Sequence, residues 1–144
     1  MEFSEVSENE NLSLCLKIHH IGFLTKTLKE TEEVFCSLGY VVEQESAYDS
    51  IRKVNISFLN KDGYRVELIE PVDETSPLYP LLKRYKNSPY HFCYEVPDLQ
   101  DAIMKLSDLG WRVFQEPEIA PCLRNKKVCF LMNSSAGMIE LLEE

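Results

Sequence analysis

No apolar run in the 144-residue sequence approaches the roughly 18–20 residues that a membrane-spanning helix needs, so no membrane partner is expected. The opening stretch, MEFSEVSENENLSL, is acidic and polar where a secretory signal is basic and then apolar. Residues 1–15 therefore read as a flexible acidic tail, and the protein as cytoplasmic. Basic residues are scarce: 15 Lys and Arg stand against 24 Asp and Glu, a net charge of −9. A polyanion would need a concentrated basic patch to overcome that field, so nucleic acid is not an expected partner. Five glycines, seven prolines and 44% hydrophobic residues exclude collagen-like and disordered classes and fit one ordinary globular domain. The five cysteines are odd in number and lack metal-finger spacing. Cys36, Cys93 and Cys129 sit in apolar runs that suit small buried thiols in a reducing compartment. The basic groupings that do exist, Lys83-Arg84 with Lys86 and Arg124 with Lys126-Lys127, are short solvated faces. A small anion suits them better than a polynucleotide.

What the chain does contain is a repeat. His20-Ile-Gly-Phe-Leu-Thr-Lys-Thr-Leu28 is matched by His91-Phe-Cys-Tyr-Glu-Val-Pro-Asp-Leu99, and each leads through a helical stretch to Leu-Gly-aromatic, Leu38-Gly39-Tyr40 and Leu109-Gly110-Trp111. The interval from histidine to glycine is 19 residues in both. Later, Val66-Glu67-Leu68-Ile69-Glu70 is matched by Ile139-Glu140-Leu141-Leu142-Glu143. The two halves are one duplicated unit.

Periodicity predicts the elements of that unit. The first half reads as strand 17–24, helix 27–38 and strands 41–45, 53–59 and 64–70. The second reads as strand 91–96, helix 98–109 and strands 111–115, 126–132 and 137–142. Asn60-Lys61-Asp62-Gly63 supplies a hairpin turn. The chain thus divides into tail 1–15, a first βαβββ module 16–71, a connecting segment 72–88 with a short helix, and a second βαβββ module 89–144. Four strands and one helix leave a sheet face bare, so the modules are expected to pair. The result is an α+β fold, a curved, incomplete barrel with a central cleft.

Strand alternation places Ile18 and His20 on one face and His19 and Ile21 on the other. Glu67 and Glu140 each stand opposite two apolar neighbours. A single strand histidine or glutamate is most often structural. Both modules, however, place one His on the first strand and one Glu on the last. A pseudo-twofold would let His20, Glu67, His91 and Glu140 converge, a donor set suited to one divalent transition metal.

These residues resemble the vicinal oxygen chelate superfamily, which includes glyoxalase I, methylmalonyl-CoA epimerase, extradiol dioxygenases and bleomycin-resistance proteins. His20-Ile-Gly, Val66-Glu67-Leu-Ile-Glu-Pro71, Ser76-Pro77-Leu, His91-Phe-Cys-Tyr-Glu-Val96, Leu109-Gly110 and Ile139-Glu140-Leu141 are most similar to the epimerases. The resemblance covers about residues 16–144 and implies metal ligands at His20, Glu67, His91 and Glu140. The metal would be Zn, Co, Ni, Mn or Fe(II), and the assembly a homodimer. It also implies enolisation of a small acyl substrate chelated to the metal, methylmalonyl-CoA-like, with Glu140 or Glu67 as base. Asn55 stands where an epimerase glutamate is expected, as a substrate-binding residue, and Arg124 and Lys127 are placed to meet an anionic part of the substrate. Alternatives within the resemblance are a lactoylglutathione lyase of glyoxalase I type and a non-catalytic small-molecule binding or resistance protein.

Overall fold

The computed structural model describes residues 14–144. Eight strands form one sheet: β1 (Lys17–Leu24), β2 (Val41–Asp49), β3 (Val54–Lys61), β4 (Tyr64–Pro71), β5 (Ser88–Val96), β6 (Arg112–Ala120), β7 (Lys126–Asn133) and β8 (Gly137–Glu143). Helix α1 (Leu28–Ser37) follows β1, α2 (Tyr79–Tyr85) lies in the connection, and α3 (Leu99–Asp108) follows β5. The strand order is β2-β3-β4-β1-β5-β8-β7-β6. The two βαβββ units are thus mirrored about a central antiparallel β1/β5 seam. The expected elements are all present. β2 and β6 run four to five residues longer than their periodicity suggested, because bulges interrupt the alternation on both.

The duplication extends to detail. The register breaks of β2 at Val42/Gln44 and Gln44/Ala47 recur in β6 at Val113/Gln115 and Gln115/Glu118. In the first unit, Glu70 on β4 accepts the Leu28 backbone N–H at 2.8 Å, and in the second Glu143 on β8 accepts that of Leu99 at 2.9 Å. Each carboxylate satisfies a free donor at a helix start from a neighbouring strand, next to the positive end of the helix dipole. Both helices end at a glycine with positive φ, +101° at Gly39 and +97° at Gly110, where a side chain would be strained.

The alternation of each strand sorts its residues between two layers. On the helix side, Leu59, Val66 and Leu68 pack under α1 with Leu28, while Leu131, Ile139 and Leu141 pack under α3 with Leu99, Ala102 and Leu106. On the other side, Leu24, Val54, Ile56, Phe58, Ile69, Val128 and Leu142 fill the floor of the concave face. Of the expected tail, residues 1–13 lie outside the described residues. Leu14 and Leu16 pack against the α3 cluster, so the chain entering the first unit is anchored on the second. None of the described helices is long and apolar enough to cross a membrane.

Candidate metal centre

The register that pairs β1 with β4 and β5 with β8 brings two histidines and two glutamates from four adjacent strands onto the concave face. All four are buried, with exposures of 1% for His20, 4% for Glu67, 3% for His91 and 4% for Glu140. His20 Nε2 lies 3.1 Å from Glu67 Oε1, 3.1 Å from Glu140 Oε1 and 3.3 Å from His91 Nε2. His91 Nε2 lies 3.1 Å from Glu140 Oε1 and 3.8 Å from Glu67 Oε1. Donors at bond lengths of roughly 2.0–2.2 Å from one ion stand about 2.8–3.1 Å apart when adjacent in an octahedron and about 3.3–3.6 Å apart in a tetrahedron. The spacing and chemistry of this set therefore fit a divalent transition ion.

The electrostatics show the same concentration of charge. Burial by itself would depress the His20 imidazolium, but the Glu67 charge and hydrogen bonds to Glu140 and Glu67 outweigh it and raise the pKa to about 10. Burial by itself would raise the Glu140 carboxyl, but hydrogen bonds from His20 and His91 hold it well below the usual carboxylate range. Two buried carboxylates are a large cost without a compensating cation. In the metal-free protein a protonated histidine takes that place.

His19 was expected on the opposite face from His20. A register shift between Ile18 and His20 breaks the alternation instead, and the two rings meet with Nδ1 atoms 2.8 Å apart. Burial, and then the charges of His20 and Arg65, lower the His19 pKa to about 4. Cys93, on the same face, forms a second possible donor group with His19 and His20. Burial and the nearby Glu140 and Glu67 charges push its thiol well up, so it remains a neutral thiol.

The expected substrate-binding residues separate in space. Arg124 lines the mouth of the cleft with Arg65, Lys126, His19 and Phe58, around a hollow of about 320 Å³. Lys127 does not. It lies one residue along β7 from Lys126 and so points to the helix side, into a hollow shared with Leu99 and Glu143. Asn55 likewise faces the helix side, where its Nδ2 donates to Glu70 Oε1 at 2.9 Å. It steadies the carboxylate that caps α1 and does not reach the cleft. The residue the sequence reading missed is Asp49, at the end of β2. With Arg52, Tyr90, Glu67 and Glu140 it lines a small inner cavity of about 20 Å³. Its carboxylate accepts from the Ile51 and Arg52 backbone N–H groups and from Arg52 Nη1, at 2.9, 3.1 and 3.0 Å. An Asp-Ser-Ile-Arg turn after a strand was the available signal.

With the fold and the four-residue cluster in view, comparison with known proteins decides the family. The profile of the glyoxalase/bleomycin resistance protein/dioxygenase superfamily matches residues 19–141. The chain belongs to this superfamily. Among curated relatives, the mitochondrial methylmalonyl-CoA epimerase of Dictyostelium discoideum is 26% identical over 131 residues, covering 89% of this chain and 78% of that enzyme. The mitochondrial methylmalonyl-CoA epimerase of Bos taurus is 32% identical over 91 residues, covering 61% of this chain and 51% of that enzyme, about half its length. Among solved structures, a hypothetical protein of Bacillus halodurans superposes with a TM-score of 0.79 at 23% identity, covering 91% of this chain and 96% of its own. Methylmalonyl-CoA epimerase of Mycobacterium tuberculosis superposes with a TM-score of 0.75 at 20% identity, covering 88% and 86%. At these identities the superpositions establish the superfamily's curled half-barrel.

Proposed function

We propose that the protein is a metal-dependent epimerase or isomerase that abstracts the proton α to a carbonyl in a small acyl substrate, of which an acyl-CoA thioester resembling methylmalonyl-CoA is the leading candidate. The observation that carries this reading is the buried convergence of His20, Glu67, His91 and Glu140 beside a cavity and an open cationic mouth. His20, Glu67, His91 and Glu140 would hold the ion, whose Lewis acidity lowers the cost of enolate formation when two substrate oxygens bind it. The chain's own part is to exclude water, hold the ligand charges and move a proton. Glu140 and Glu67 are the carboxylates placed to do so, and we assign one of them as the base. Asp49 is less suited, since three donors already occupy its carboxylate. Arg124 and Lys126 give the mouth of the cleft the charge to receive an anionic part of the substrate.

The test is metal content of the purified protein beside His20→Ala and Glu140→Ala, with the same samples assayed by NMR in heavy water for exchange of the methylmalonyl-CoA α-proton. About one metal per chain, lost in both variants, together with exchange, is the expected result. Metal without exchange would move the substrate to another acyl or hydroxy-carbonyl compound, as in glyoxalase-type chemistry. Failure to bind any divalent metal after reconstitution would remove the enzyme reading and leave a small-molecule binding protein.

A further inference from the structure

A histidine ligand presents the correct nitrogen only when its second nitrogen, or its packing, fixes the ring and the tautomer. The two histidines of this site are fixed in different ways. His91 is held by packing, with the rings of Tyr90 and Phe130 edge-on at 4.4 and 5.2 Å between centroids. Its Nδ1 has no hydrogen-bond partner among the described residues. His20 also packs edge-on, against Phe58 at 5.5 Å between centroids, but it has in addition a partner at its Nδ1. The bulge in β1 folds two consecutive imidazoles together so that the Nδ1 of His19 lies 2.8 Å from the Nδ1 of His20.

At that distance one of the two Nδ1 atoms carries a proton and the other accepts it. The far ends of both rings decide which. His20 Nε2 faces Glu67, Glu140 and His91, where a metal needs a bare nitrogen. A neutral imidazole bare at Nε2 is protonated at Nδ1. His19 Nε2 lies 3.9 Å from Glu95 Oε1, a carboxylate that favours a proton on that nitrogen and leaves His19 Nδ1 bare.

We propose that His19 is a positioning residue of the metal centre, whose bare Nδ1 accepts the Nδ1–H of His20 and so presents Nε2 of His20 to the ion. The inference rests on the metal reading above: the 2.8 Å contact between the two Nδ1 atoms is present without the ion, and the ion at Nε2 of His20 sets its direction. It also gives the close approach of His19 and His20 in the His19-His20-Cys93 grouping a role without a second ion.

Two measurements test it. Long-range ¹⁵N–¹H NMR of the zinc-loaded protein reads the tautomers directly, and the expected result is His19 protonated at Nε2 and bare at Nδ1. Cobalt(II) titration of His19→Leu and His19→Asn reads the effect on the ion. Loss of the acceptor in His19→Leu should weaken binding about 10–100-fold, whereas the amide oxygen of His19→Asn should hold it within about 3-fold of wild type. An Nδ1–H on His19, wild-type cobalt affinity in His19→Leu, or two cobalt ions per chain with one lost in both variants would each overturn the proposal. If the wild-type protein binds no cobalt, the metal reading fails and this inference with it, whereas cobalt bound equally by wild type and His19→Leu overturns the inference alone.

Discussion

The imidazole of His91 occupies the space that a β-carbon on Gly22 would take. The two residues are directly opposed across the β1/β5 seam, and a methyl group at position 22 would overlap the ring at Cε1 and Nδ1. The glycine of the His-Ile-Gly segment is therefore a clearance for the His91 imidazole of the other module. Gly22→Ala is expected to shift the His91 ring, at an overpacking cost of about 1–3 kcal/mol. Cobalt(II) affinity should fall at least about tenfold while the far-ultraviolet circular dichroism stays native, the same range as loss of a supporting contact to a metal ligand. Wild-type affinity in Gly22→Ala would show that His91 has freedom to move that the packing does not suggest.

The Arg52–Asp49 pair ties the turn after β2 to the opposite edge of the sheet. Asp49 is 1% exposed and Arg52 7%, and Arg52 Nη1 also reaches the Ile119 carbonyl on β6 at 3.4 Å. Arg52→Ala strands a buried carboxylate and should destabilise the fold by about 3–5 kcal/mol in urea unfolding. The double variant Asp49→Asn with Arg52→Met should recover a large part of that loss. A double variant as unstable as Arg52→Ala would refute the electrostatic account.

Lys126 and Lys127 are adjacent in sequence and opposite in space. On the proposed activity, Lys126→Ala should raise KM for an acyl-CoA substrate several-fold with kcat little changed, the pattern of lost uniform binding. Lys127→Ala should leave both unchanged. Equal effects from the two variants would place the anionic part of the substrate somewhere other than the mouth of the cleft.

Burial pushes the thiols of Cys122 and Cys129 up to about 11 from an ordinary value of 9.0, with Asp49 and Glu116 as the respective nearby charges that add to it. For a group whose pKa is higher folded than unfolded, the stability it contributes is complete below the unfolded value and is lost as pH rises through the folded one. The urea midpoint should therefore fall between pH 9 and 11, and fall less in Cys122→Ala and Cys129→Ala. Parallel pH profiles for wild type and variants would show that other groups govern the alkaline limb. At neutral pH, Cys15 and Cys36 should react with a thiol reagent while the three buried cysteines do not; Cys36 is exposed on α1, not buried as its apolar run suggested.

The four-residue cluster was legible because duplication removed the ambiguity of single residues. One strand histidine says little, but His20 and His91, each 19 residues before a helix-ending glycine, identify equivalent positions. Face assignment failed where the backbone leaves ideal alternation. The bulge beside His19 turns its ring toward His20. Asn55 and Lys127 stand on the helix side of regular strands, where the neighbours Val54, Ile56 and Lys126 take the cleft face. Asp49 was hidden because β2 extends past its bulges to a turn whose hydrogen bonds come from the Ile51 and Arg52 backbone and from the Arg52 side chain three residues on.

The seam between β1 and β5 also sets how the chain can be divided. Each module supplies one imidazole and one carboxylate, and residues 72–87, which run from β4 to β5, are the covalent link between the modules that meet there. Neither half carries a complete donor set, yet nothing in the donor set requires both halves to come from the same polypeptide. Two chains that exchanged modules across this seam would rebuild the same pair of centres, so module exchange between copies would change the assembly and preserve the chemistry.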